Sequence, residues 1–202
     1  MLKVFYAPKT RGFRVIWLCN ELNIPLEVEH IDFSVEWRAR PEWRAISPLG
    51  KVPILHDGDV KIFESVAMME YVLARYGQGA LQFSAATDEH AEYLQWMWFA
   101  EATFARPLGE IVNHSREFPG EQRIDAVVAE MQNRAIAAGE MVAHYMQGRE
   151  YLVADTFSAA DIAMGYTIML LDAFVADRFP PGLKDYWQRL SSRPAFVAAS
   201  QH

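Results

Sequence analysis

One cysteine, Cys19, is all that 202 residues contain, so an internal disulfide is excluded. Its neighbours Trp17, Leu18 and Leu22 are apolar, which predicts a buried helical position for that thiol. A reducing, cytoplasmic setting is expected. Runs of lysine or arginine are also absent and the formal net charge is -7. Neither nucleic acid nor an anionic membrane is therefore expected as the main partner, although a local cationic pocket is compatible with overall acidity. No 18-residue uncharged stretch is present, and the first residues carry neither the basic segment nor the long apolar run of a secretory signal. A soluble protein is expected. The histidines at 30, 56, 90, 114, 144 and 202 show no metal-ligand spacing, so no metal is expected. The glycines form neither a phosphate-binding loop nor a dinucleotide fingerprint. What the chain does have is apolar mass: 51% hydrophobic residues is enough to build one large core or two small ones.

Along the chain, the apolar pattern switches between strand and helix periods in the first part and then stays helical. Leu2 to Ala7 reads as a short strand, Pro8-Lys9-Thr10-Arg11-Gly12 breaks it, and Phe13 to Asn23 has helical periodicity. Leu26 to Phe33 alternates as a half-buried strand entered at Pro25. Val52 to His56 and Val60 to Phe63 form a hairpin around Asp57-Gly58, followed by a helix from Glu64 to Tyr76. The order is β-α-β then β-β-α. Gly77-Gln78-Gly79 stops that helix, and a polar, alanine-rich segment runs on to Asp88. Everything beyond reads as helix, with long segments from Ala91 to Glu117 and Glu121 to Gln147 separated by Phe118-Pro119-Gly120. Ser158 and Asp161 stand at capping-box spacing, and Phe157 is placed to staple onto Ile162.

The stretch Ser47-Pro48-Leu49-Gly50-Lys51-Val52-Pro53-Ile54-Leu55, followed closely by Phe63-Glu64-Ser65-Val66-Ala67, addresses one binding problem from two sides. If the Val52-Pro53 bond is cis, the backbone N–H and C=O of Val52 face outward and an extended peptide can pair with them. Glu64 and Ser65 open a helix whose free N–H groups and hydroxyl attract a carboxylate. A strand edge beside an anion socket suggests a small acidic peptide. The combination resembles the glutathione-binding half of the glutathione S-transferase family, whose thioredoxin-like domain carries a Val-Pro pair and a Glu-Ser or Asp-Ser pair at this separation. The Ser158–Asp161 capping motif recurs in that family's helical domain, so the resemblance covers essentially the whole chain.

The resemblance implies an α/β thioredoxin-like N-terminal domain over 1–78, a linker over 79–87 and an all-α C-terminal domain over 88–202. It implies a cytoplasmic homodimer of the detoxification type, with glutathione as co-substrate and no metal. The thiolate would attack a hydrophobic electrophile or a peroxide. Family members resembling this one carry a catalytic serine where Thr10 stands, which makes Thr10 one candidate donor to the thiolate. Tyr6, two residues before Pro8, is the other, since tyrosine-type members place their donor at the end of the first strand. Either hydroxyl also has a structural use, Thr10 as a helix cap and Tyr6 as pocket wall or core. Val52, Pro53, Glu64 and Ser65 would hold glutathione, and Arg38 or Lys51 its glycine carboxylate. Arg11, Phe104 and Leu108 are candidates for the second-substrate pocket, the last two within an aromatic helix that also contains Trp96, Trp98 and Glu101. Glu101 could approach the glutathione amino group across a dimer. Disulfide exchange through an active-site cysteine is disfavoured because Pro8 to Gly12 contains none. A glutathione-dependent peroxidase or isomerase, and a non-catalytic interaction module on the same fold, remain as alternatives.

Overall fold

The computed structural model describes residues 1–118 and 120–202; Pro119, in the expected break between helices, lies outside them. The strands are β1 (Leu2–Tyr6), β2 (Leu26–His30), β3 (Ile54–Asp57) and β4 (Val60–Ile62). The α-helices are α1 (Phe13–Glu21), α2 (Val35–Arg38), α3 (Pro41–Ile46), α4 (Ser65–Tyr76), α5 (Asp88–Trp98), α6 (Ala105–Arg116), α7 (Asp125–Tyr145), α8 (Ala159–Val175), α9 (Lys184–Ser191) and α10 (Pro194–Ala199). They fall into two compact units, Met1–Leu81 with Ser192–His202, and Gln82–Ser191.

The first unit is a mixed sheet in the order β2-β1-β3-β4, with β1 parallel to β2 and antiparallel to β3. The central strand β1 is paired along both edges, Val4 with Val28 on one side and Leu55 on the other, and all its residues but half-buried Lys3 are buried. Phe5 and Ile54 meet Trp43 in a cluster that Trp37, Ile46 and Val52 complete. Helix α1 is apolar nearly all round and buried from Phe13 to Cys19. One reason is that Phe196 of α10 sets its ring 5.1 Å from Phe13 and 5.0 Å from Trp17. Arg193 clamps that tail segment to α1, its Nε and Nη2 donating to the Glu21 carboxylate at 2.6 and 2.8 Å. The α/β expectation holds, with local corrections. Strand β2 stops at His30, and the Asp32 carboxylate accepts from the Ser34 N–H at 2.9 Å to turn the chain. Val52 and Pro53 precede β3 rather than belong to it. Two short helices, α2 and α3, occupy a stretch for which the sequence predicts no element.

The second unit is all helix, as expected. Its centre is α8, buried along almost its whole length. The expected capping box is present: the Ser158 side chain accepts from the Asp161 N–H, and the Asp161 carboxylate accepts from the Ser158 N–H at 2.9 Å. Asp161 also accepts from the Leu152 N–H at 3.0 Å and the Tyr186 hydroxyl at 2.7 Å, so its buried carboxylate ties three segments together. Phe157 lies edge-on to Tyr151 at 5.5 Å. The residues 159–178 are long and apolar enough to cross a membrane, and 72% of that window is buried inside the protein, which accounts for its composition. The expected single helix from Ala91 to Glu117 is interrupted by a π-helical stretch, Phe99–Phe104. The Thr167 hydroxyl bonds the Ala100 carbonyl there at 3.1 Å, giving the widened turn a partner on α8.

Candidate functional site

Two backbone features of the first unit leave groups that the sheet and helix do not use. The β1–β3 ladder ends at the Phe5–Ile54 pair, so Val52 lies beyond its last rung. Its side chain packs against Phe5, Trp43 and Ile54, and the Val52-Pro53 bond is cis, as expected. The loop leading to it is held by Ser47, which is 2% exposed. The Ser47 hydroxyl accepts from the Lys51 N–H at 2.9 Å and donates to the Lys51 carbonyl at 2.8 Å. Gly50 makes the turn possible, with φ of 62° and a position where a Cβ would stand 2.8 Å from the Arg38 carbonyl. The sequence Ser-Pro-Leu-Gly-Lys therefore does one local job, presenting the next residue in a fixed pose.

The second feature is the start of α4. Glu64 precedes it with φ 73° and ψ 108°, and its exposed side chain makes no capping bond. A non-glycine residue in that region is strained by roughly 1–3 kcal/mol, a cost that such sites concentrate. Ser65 is the first helical residue and only 2% exposed. Its N–H is one of the amides that a helix start leaves without an intrahelical partner. Beneath it lies Arg14 of α1, with no exposed surface, whose Nη1 donates to the Ser65 Oγ at 3.0 Å.

The loop after β1 closes over the same elements. Gly12 fits tightly: a Cβ there would meet the Tyr6 ring at 2.7 Å and the Pro53 Cβ at 3.2 Å, so Tyr6, Gly12 and Pro53 form one contact. Tyr6 is 2% exposed, and its hydroxyl accepts from the Lys9 N–H at 3.1 Å. Burial raises the Tyr6 phenol above its ordinary value against the lowering effect of that amide, which keeps it protonated at neutral pH. Thr10 is half-buried and its hydroxyl donates to the Ala7 carbonyl at 2.6 Å.

The remaining candidates are more scattered. Arg38 donates from Nε to the Ser34 carbonyl at 3.3 Å and lays its guanidinium 4.7 Å from the Phe33 ring centre, next to the Gly50 turn. Lys51 is exposed and Arg11 half-buried. Phe104 and Leu108 of the helical unit have no exposed surface, and Glu101 lies on the π-helical stretch. Burial pushes the Cys19 thiol up to about 12, so it is not a nucleophile at neutral pH. No group of three or more histidine, cysteine, aspartate or glutamate side chains could hold a metal ion among the described residues. Sequence reasoning assigned no role to Arg14 or Ser47. Arg14 did leave a trace, as the only charge between Phe13 and Cys19.

Comparison with known proteins puts this geometry in context. Residues 1–74 match the family model for the glutathione S-transferase N-terminal domain. Glutathione S-transferase F10 of Arabidopsis thaliana is 28% identical over 214 residues, an alignment that takes in 99% of this chain and 97% of the relative. Dichloromethane dehalogenase of Methylorubrum extorquens is 29% identical over 217 residues, covering 99% of this chain and 74% of that protein. Among solved structures, the glutathione transferase URE2P8 from Phanerochaete chrysosporium, crystallised with oxidized glutathione, superposes with a TM-score of 0.87 at 22% identity. It covers 99% of this chain and 93% of its own, a likeness of fold.

Proposed function

We propose that the chain is a member of the glutathione S-transferase superfamily, whose N-terminal domain model matches residues 1–74, and that it binds glutathione across Val52 and Ser65 and transfers it to a small hydrophobic electrophile. The observation that carries this reading is the Ser65 site: a hydroxyl and an amide at an uncapped helix start, braced from below by buried Arg14. Val52, beyond the end of the ladder, offers its backbone to the cysteinyl unit. Ser65 receives the γ-glutamyl carboxylate through its hydroxyl and N–H, and Glu64 faces the neighbouring ammonium. Lys51 or Arg38 takes the glycine carboxylate.

Thr10 is the donor to the thiolate in this reading, standing where the family resemblance implies a serine. Thr10 is half-buried, whereas Tyr6 is almost wholly enclosed. A thiol with a pKa near 8.5 is mostly protonated at neutral pH, so one hydrogen bond to sulfur raises the reactive fraction. The thiolate then forms the S–C bond to the electrophile, whose leaving group departs with its electron pair. Arg11 is the candidate on this unit for contact with the second substrate, whereas Phe104 and Leu108 of the helical unit have no exposed surface. A peroxide is reduced by the same thiolate attacking its O–O bond, which releases the alcohol and leaves the glutathione sulfur as a sulfenic acid; a second glutathione then converts it to the disulfide and water. Exchange through a protein thiol is not part of the reading, since Cys19 is buried and protonated. We take the active form to be a cytoplasmic homodimer, which light scattering at micromolar concentration tests.

Retention on glutathione-agarose, followed by assay with an activated aryl halide, separates an active transferase from a non-catalytic module. In calorimetry, Ser65→Ala should weaken glutathione binding by about 1–3 kcal/mol, the range for losing a hydrogen bond to a charged group. Unaltered affinity would place the acidic end of the peptide elsewhere.

A further inference from the structure

We propose that Arg14 is a positioning residue for the carboxylate socket: it fixes the Ser65 hydroxyl so that its single proton is aimed at the ligand before the ligand arrives. The inference rests on the glutathione reading above and adds a device to it. Arg14 sits in α1 with no exposed surface, in a run whose other members, from Phe13 to Cys19, are apolar. Burying a guanidinium is costly unless its hydrogen bonds are made, so its presence there calls for a reason. Its Nη1 lies 3.0 Å from the Ser65 Oγ, a contact between residues 51 positions apart.

The chemistry of the two groups decides the polarity of that contact. A guanidinium has donors and no acceptor, whereas a serine hydroxyl has one proton and two lone pairs. Ser65 must therefore accept from Arg14, and its own proton must point elsewhere. Left alone, a serine at a helix start can rotate its hydroxyl to a nearby backbone carbonyl, which would spend that proton locally. Arg14 occupies the acceptor side and holds the oxygen in place. The Ser65 hydroxyl and N–H then form a pair of donors matched to a carboxylate, with less ordering left for the binding step. Lysine is a poor substitute, because its compact ammonium has no rigid fork with which to bond Ser65 and keep its other contacts.

The test compares two ligands by calorimetry, glutathione and 4-aminobutanoyl-cysteinyl-glycine, which lacks only the α-carboxylate of the γ-glutamyl unit. Wild type should prefer glutathione. Arg14→Met should cut that preference by roughly tenfold, as expected for loss of an organised charged hydrogen bond, while affinity for the analogue stays within about twofold. Arg14→Lys should restore the preference only in part, and adding Ser65→Ala to Arg14→Met should change it little further. An equal loss for both ligands would mean that Arg14 serves the fold alone and would overturn the proposal. So would a preference lost in Ser65→Ala but intact in Arg14→Met. If Arg14→Met does not fold, Arg14→Lys decides, and a preference equal to wild type overturns the inference. Failure of wild type to bind glutathione at all would refute the parent reading instead, whatever the variants do.

Discussion

Thr10→Val removes one hydroxyl and keeps the branched shape, which makes it the sharpest probe of thiol activation. In the structure that hydroxyl donates to the Ala7 carbonyl at 2.6 Å, so serving a thiolate means exchanging one acceptor for another. The bond given up is neutral, worth about 0.5–1.5 kcal/mol, and the bond gained is to a charged group, worth about 1.5–3 kcal/mol. A net gain of about 1 kcal/mol corresponds to roughly 0.7 of a pKa unit. The bound thiol should therefore titrate at roughly 7.8 in wild type and roughly 8.5 in the valine variant. Below both values the thiolate fraction, and with it kcat/KM, should be roughly fivefold lower in Thr10→Val. Above about pH 9.5 both thiols are ionised and the two curves should meet. Thiolate absorbance in the ultraviolet and a pH–rate profile measure the same shift independently. Thr10→Ser should follow wild type, and Tyr6→Phe should leave the profile unchanged. Coincident profiles for wild type and Thr10→Val, or a loss equal at every pH, would refute the assignment; a shift produced by Tyr6→Phe would transfer it to Tyr6.

Three other perturbations follow from particular contacts. Arg193→Ala breaks two hydrogen bonds to Glu21 at 2.6 and 2.8 Å. It should cost about 1–3 kcal/mol in denaturant unfolding and make the segment after Ser192 the first protease target, whereas unchanged stability would deny it the clamp role. Glu64→Gly relieves the φ of 73°, so it should melt higher than Glu64→Ala while binding glutathione more weakly than wild type. Hydrogen bonds from Tyr76 and Tyr71, with Arg75 and the N-terminal amine nearby, hold the Asp57 carboxyl below its ordinary value. A depressed carboxyl stabilises the fold above its unfolded pKa of about 3.9 and loses that contribution as pH falls through the lower folded value. The stability gap between wild type and Asp57→Asn should therefore be widest near neutrality and close below about pH 4; a gap independent of pH would contradict this.

The sheet unit was readable wherever the pattern was long enough to repeat. β1, α1, β3, β4 and α4 follow from alternation, helical spacing and the Asp57-Gly58 turn. Helices α2 and α3 have four and six residues, too few to display a face, although their signals were present in Ser34, which accepts from the Trp37 N–H, and in Pro41 at a helix start. The π-helical stretch was invisible because the residues on both sides of Phe99–Phe104 keep ordinary helical composition. Its partner, Thr167, lies 67 positions away from Ala100. The same limit governs the site. Val52-Pro53 and Glu64-Ser65 were legible as local motifs, whereas Arg14 acquires its partner only when α1 and α4 pack together. Ser47 belongs to the same local motif, yet its two bonds to Lys51 depend on a turn that sequence spacing alone does not define.

Backbone amide spectra of isotopically labelled protein, recorded while reduced glutathione is added, address the central claim directly. Binding along Val52 and at Ser65 predicts that the amide resonances of these two residues shift together and saturate at one ligand concentration. Their N–H groups should also exchange more slowly with solvent, since each gains a partner on the ligand. The Ser65 response should be missing when the analogue without the α-carboxylate is used, and the Val52 response should persist. Saturable shifts confined to other residues, or no shift at millimolar glutathione, would contradict the account.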